Sequence, residues 1–160
     1  MSDYENTGTV NSEVVSAPAN EYQPSNAPVR LLKTNRGTLK TILLTIITLG
    51  IYPLFLYHNL SEELNITASR YDGRKTMNFL LLFFIVGPIT LGIGFLVWFH
   101  NFSARAGKEL KRRGIDYSFG ASSYWLWSVL GIIFIIGPFI YLHKLLKAIN
   151  LINEDYNQKG

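Results

Sequence analysis

The chain contains no cysteine, which excludes disulfides, thiolate nucleophiles and cysteine-based zinc or iron–sulfur sites. Before Arg30 it has no lysine or arginine, only Asp3, Glu5, Glu13 and Glu21 scattered among Asn, Ser, Pro and Val. A basic start followed by an apolar stretch, the mark of a secretory signal, is therefore missing. The stretch has no apolar period either, so an acidic tail over 1–29 is expected to be disordered. Also missing are a phosphate-binding Gly-rich loop, a His-Glu-x-x-His pair and a Gly-x-Ser-x-Gly elbow. The adjacent carboxylates Glu62-Glu63 and Glu154-Asp155 have no partner legible in the sequence. No enzymatic activity, cofactor or metal is expected.

Charge is absent from three further stretches, Thr41 to Tyr57, Thr76 to Phe99 and Tyr117 to Leu142. The mean hydropathy of +0.16 averages these with the polar tail and so conceals them. About 20 helical residues, rising ~1.5 Å each, cross a ~30 Å hydrocarbon core. The expected fold is an all-α membrane protein: three kinked transmembrane helices, about 39–58, 77–101 and 122–146, with polar helical extensions, in a membrane domain over 30–157 followed by a short tail, 158–160. Proline removes a backbone donor and crowds the preceding turn, which predicts kinks at Gly50 and Pro53, at Gly87, Pro88, Gly92 and Gly94, and at Gly137 and Pro138. The same glycines suit close helix packing. With no Asp, Glu, Arg or Lys inside these stretches, an ion-coupled transporter is disfavoured.

Sliding the chain over itself by about 42 residues places Thr48-Leu49-Gly50-Ile51 on Thr90-Leu91-Gly92-Ile93, and His58-Asn59-Leu60-Ser61 on His100-Asn101-Phe102-Ser103. A third, weaker copy carries Gly137-Pro138 and His143, so the chain reads as about three degenerate repeats. His58, His100 and His143 fall where each apolar run meets a polar extension. With single crossings, His100 lies on the opposite membrane face from the other two. A three-histidine metal site would require every apolar segment to be a re-entrant hairpin returning to its own side. Packing at the interface is the preferred role for the three rings.

Arg30, Lys33, Arg36 and Lys40 precede the first apolar stretch, and Arg105, Lys108, Lys111, Arg112 and Arg113 follow the second. They outnumber the cations of the alternate segments, which predicts the amino terminus and second loop in the cytoplasm, with the first loop and carboxyl tail outside. Trp98, Trp125 and Trp127 flank that loop and are expected to act as interface anchors. Helical spacing pairs Glu109 with Arg105 and with Arg113. The basic cluster is expected to face anionic lipid headgroups, each cation near the surface contributing about 1 kcal/mol. Nucleic acid is disfavoured, because the aromatic platforms for bases would sit at membrane depth.

The stretches Leu32-Lys33-Thr34-Asn35-Arg36-Gly37, Ser69-Arg70-Tyr71-Asp72-Gly73-Arg74-Lys75-Thr76-Met77, Gly87-Pro88-Ile89-Thr90-Leu91-Gly92-Ile93 and Glu109-Leu110-Lys111-Arg112-Arg113-Gly114-Ile115-Asp116-Tyr117 together resemble an uncharacterised family of small bacterial membrane proteins, catalogued only as a domain of unknown function. The resemblance covers about Arg30 to Tyr156. It implies a multi-pass protein of the bacterial inner membrane and supplies no activity or site residues. The function expected from the sequence is non-enzymatic: an assembly scaffold or accessory subunit that associates with itself or with another membrane protein. The alternative is a small oligomeric pore or passive carrier.

Overall fold

The computed structural model describes residues 28–160, so the expected acidic tail lies outside the described residues apart from 28 and 29. Among the described residues all regular structure is helical. The chain makes three hairpins, each consisting of a short apolar arm, a tight reversal and a long helix.

The first hairpin pairs α1 (Thr38–Ile47) with α2 (Tyr52–Asp72). In the second, α3 (Phe79–Leu81), a π-helical stretch (Leu82–Val86) and α4 (Gly87–Ile89) form the arm, and α5 (Ile93–Arg112) returns. In the third, the arm is α6 (Ala121–Ser123), a π-helical stretch (Tyr124–Val129) and a 3-10 turn (Leu130–Phe134), answered by α7 (Gly137–Lys159).

The repeated Thr-Leu-Gly-Ile phrase makes a reversal, where a kink was expected. Leu49 and Gly50 both have positive φ, 51° and 89°, and Leu91 and Gly92 repeat this at 50° and 89°. Two successive left-handed residues turn the chain back on itself. In the first turn the Gly50 N–H donates to Thr45 O (2.8 Å) and Leu49 N–H to Ile46 O (3.1 Å). In the second, Gly92 N–H donates to Gly87 O (2.9 Å) and Leu91 N–H to Pro88 O (3.3 Å). The threonine completes each turn: Thr48 Oγ1 donates to Leu44 O (2.7 Å) and accepts from Tyr52 N–H (2.9 Å). Thr90 Oγ1 does the same with Val86 O (2.7 Å) and Gly94 N–H (2.9 Å). The third reversal turns at Ile135, φ 60°, without a threonine.

The three long helices run parallel. Near their starts the Phe99 ring meets both Tyr57 and Tyr141. Near their ends Arg113 bonds the Thr67 carbonyl of α2 and the Asp155 carboxylate of α7. Leu60, Leu64, Phe102, Ala106, Leu110, Leu145, Ile149 and Ile152 fill the space between them and are essentially solvent-free. Fully burying a leucine- or phenylalanine-sized side chain contributes about 1.5–3 kcal/mol, so this seam is the main source of stability. Because the helices are parallel, extended connectors carry the chain back: the segment before α3 exchanges two hydrogen bonds between Asn65 and Thr76, and the segment before α1 lies along α7.

This architecture overturns the three-span fold. Among the described residues no helix is long and apolar enough to cross a membrane. α1 has 10 residues, a length of about 15 Å. α2, α5 and α7 are longer, but each leaves its apolar section within a few turns and continues through charged residues such as Glu63, Glu109 and Asp155. The crossings over 39–58, 77–101 and 122–146 are therefore replaced by hairpins, and a multi-pass placement in the bacterial inner membrane goes with them. The alternating sidedness of the loops fails for the same reason, since the polar ends of all three long helices are tied together by the Arg105–Asp72 and Arg113–Asp155 pairs.

Candidate functional site

Parallel long helices place the three reversals at one end of the molecule. That end is apolar and bare: Leu49 is 93% exposed, Leu91 92% and Ile135 75%, with Ile46, Ile47, Ile89 and Phe134 also uncovered. The backbone at the Thr48 and Thr90 turns is nevertheless closed by the hydrogen bonds just described, so what these tips present outward is hydrocarbon.

The opposite end is polar and densely cross-tied. Arg36 grips Glu63 through two hydrogen bonds of 2.5 and 2.7 Å, and Asn153 Nδ2 donates to the same carboxylate at 2.8 Å. Asn150, Asn153 and Asn157, on one face of α7, bond the backbone of the incoming segment at Arg36, Lys33 and Leu32. Neither this ladder nor the buried Glu63 was anticipated, although the asparagine spacing along one helix face was readable as a signal.

The five cations assigned to a lipid-facing loop lie on the last turns of α5 and just beyond it, and they do not form one surface. Arg105, its side chain only 10% exposed, holds Asp72 and also reaches Asn65, Ser69, Thr76 and the Arg74 carbonyl. Of the two partners expected for Glu109, Arg113 binds it and Arg105 does not; Arg112 takes the second place. Arg113, 3% exposed, continues to Asp155, and Arg112 lies 3.4 Å above the Tyr71 ring. Lys108 and Lys111 are exposed. Burial alone would raise the pKa of Asp72 and of Asp155. Hydrogen bonds and charge from Arg105 and Arg74 at Asp72, and from Lys159 and Arg113 at Asp155, outweigh it and lower both.

Of the expected interface anchors, Trp98 is a core residue, 4% exposed, stacked on Phe102 and donating its indole N–H to Met77 O at 2.8 Å. Trp125 is exposed and donates to His100 Nδ1 at 3.0 Å, while Trp127 is half-buried in the third arm. The glycines and prolines divide by role. Gly50 and Gly92 make the reversals, and Pro53 and Pro138 start returning helices. Gly87, with Pro88 beside it at the start of α4, admits the Phe95 ring: a Cβ there would lie 2.5 Å from Phe95 Cε2. Gly94 packs on Thr90, and Gly137 lets the third arm cross at Gly131.

Re-entrant hairpins were the condition under which the three histidines could converge on a metal. The hairpins are present, but His100 is bonded to Trp125, His143 Nδ1 lies 3.0 Å from Thr38 Oγ1, and His58 is half-buried with its Nδ1 buried and unpartnered. Among the described residues no three His, Cys, Asp or Glu side chains are grouped to hold a metal ion.

A cleft of about 660 Å³ opens between the second hairpin's arm and α5. Its wall is graded along α5. Ile93, Gly94 and Val97 stand near the apolar tip, Asn101 and Ala104 follow, and Arg105 and Lys108 close the polar end, joined by Arg74 and Lys75 from the connector and by the Asp72 carboxylate. A second, smaller cavity of about 330 Å³ in the third hairpin is lined by Leu126, Leu130, Phe134 and Ile140.

No curated protein and no solved structure matches this chain. A family model does match, from the Arg36 that binds Glu63 to the Lys108 at the head of the cleft, so it takes in the first two hairpins down to the basic end of α5 and stops short of the third. Residues 36–108 match the model of a domain of unknown function, DUF4234, in keeping with the uncharacterised character of the family that the sequence resembles.

Proposed function

We propose that this chain is a non-enzymatic assembly protein that rests on a lipid surface, its three hairpin tips embedded in one leaflet and its polar bundle displayed as a platform for partners. The observation that carries the reading is the bare apolar end. Three tips point the same way, and at two of them the backbone hydrogen bonds are closed inside the turn, which is the condition for placing backbone in hydrocarbon. The arms have a matching length: α1, with its 10 residues, reaches about 15 Å, close to half of a ~30 Å core. The ionisable groups of the bundle support a structural role, since Arg36, Glu63, Asp72, Arg105, Arg113 and Asp155 are engaged in joining helices to one another and to the incoming segment.

The test uses single cysteines introduced into this cysteine-free chain. Environment-sensitive fluorophores at Leu49, Leu91 and Ile135 should all shift to the blue on adding vesicles and be quenched by acyl-chain quenchers, while labels at Asn65, Lys111 and Asn157 stay aqueous and react from one side. Tips that remain aqueous, or polar labels that divide between the two sides, would overturn the proposal. A reproducible ionic current from the reconstituted protein would replace it with the pore reading.

A further inference from the structure

The cleft along α5 has the polarity profile of an amphiphile. Its lower wall, Ile93 and Val97, is exposed hydrocarbon on the flank of a tip, and its upper rim carries Arg74, Lys75 and Lys108. These three cations are exposed, and none forms an ion pair among the described residues. Asp72, the carboxylate at the rim, is already neutralised by Arg105, which grips it with contacts of 2.7 and 3.0 Å. The rim is therefore net positive, and Arg105 is held by four further groups and fixes its floor. From Ile93 to Lys108 the helix advances by about 22 Å, the scale of a headgroup with part of an acyl chain. The volume is in the range of sites for small ligands, which commonly enclose 300–1,000 Å³.

We propose that this cleft binds one anionic amphiphile, its phosphate or comparable anion held by Lys75, Lys108 and Arg74 and its alkyl chain laid along Val97 and Ile93 toward the tip. The anionic head could come from a membrane lipid or from free phosphate, and the alkyl wall distinguishes them: only a molecule with both parts uses the whole cleft. The inference deepens the reading of a leaflet-embedded platform, because a bound anionic lipid would set the depth and tilt of the second hairpin.

The test does not require a vesicle, so it can fail separately from leaflet insertion. The full chain is released for native mass spectrometry from neutral maltoside micelles doped with dodecyl phosphate, with dodecyl glucoside, or with inorganic phosphate alone. One dodecyl phosphate should be retained, in at least tenfold preference to the glucoside, and inorganic phosphate should not be retained. K75Q/K108Q should lower the occupancy at least fivefold, and V97W, which fills the lower wall from an exposed position, should do the same with both lysines intact. K33Q/K40Q removes the same charge elsewhere and should leave occupancy unchanged. Equal retention of the two amphiphiles, retention of inorganic phosphate as strong as that of dodecyl phosphate, or an unaffected V97W would each overturn the proposal.

Discussion

Arg36 and Glu63 form a two-pronged ion pair at 2.5 and 2.7 Å, with both side chains less than a tenth exposed, and this contact fastens the incoming segment to the start of the polar bundle. Removing one partner leaves the other charged and buried, which generally costs about 3–5 kcal/mol, whereas replacing both with apolar groups of similar size is often close to neutral. Glu63→Ala should thus lower the urea midpoint substantially, and R36M/E63L should recover most of the loss. A double variant as unstable as the single one would show that the pair contributes through Asn153 and the segment's backbone.

Thr48 and Thr90 perform the same task in two hairpins, so their loss should be local. Thr90→Val keeps the shape but leaves the Gly94 N–H without its acceptor, a change worth about 1–3 kcal/mol when the group stays dry. Amide hydrogen exchange at Gly94 should accelerate, and exchange at Tyr52 should not. Thr48→Val should give the mirror result.

Close approach separates glycines that look alike in sequence. A Cβ at Gly107 would run into the Phe119 carbonyl, a backbone atom that cannot swing away, whereas at Gly37 nothing lies within 4 Å. Gly107→Ala should cost roughly 1–3 kcal/mol through overpacking, and Gly37→Ala should move the thermal midpoint little. Gly114→Ala meets open space but at φ +70°, so the cost there is backbone strain of about 1–2 kcal/mol.

Acid should loosen the ties between the long helices. Asp72 and Asp155 have lowered pKa values in the folded chain, so the stability they contribute is fully present above the ordinary aspartate value near 4. It is lost as pH falls through the lower folded values. Unfolding followed from pH 6 downward should show a drop beginning below about pH 4, and D72N/D155N should be less stable at pH 6 with a shallower acid slope.

The sequence by itself determined the helical class, the repeat of about 42 residues, the places where the apolar runs are interrupted and the absence of thiol chemistry. These are properties of composition and local period, and the repeat reappears in space as the Tyr57, Phe99 and Tyr141 rings meeting in series. What only the tertiary structure decided is the direction of the chain after each interruption. An apolar run containing Thr-Leu-Gly-Ile has the same composition whether it kinks and continues or reverses. The outcome rests on two left-handed residues, a threonine hydroxyl that closes the turn, and the parallel packing of three long helices that rewards the return. That packing also buried Trp98, turned Arg105 and Arg113 from surface charges into internal ties, and gave α5 a cleft graded from hydrocarbon to cations. A charge count along the chain carries no information about which opposite charge, from a residue far away in sequence, each cation will meet.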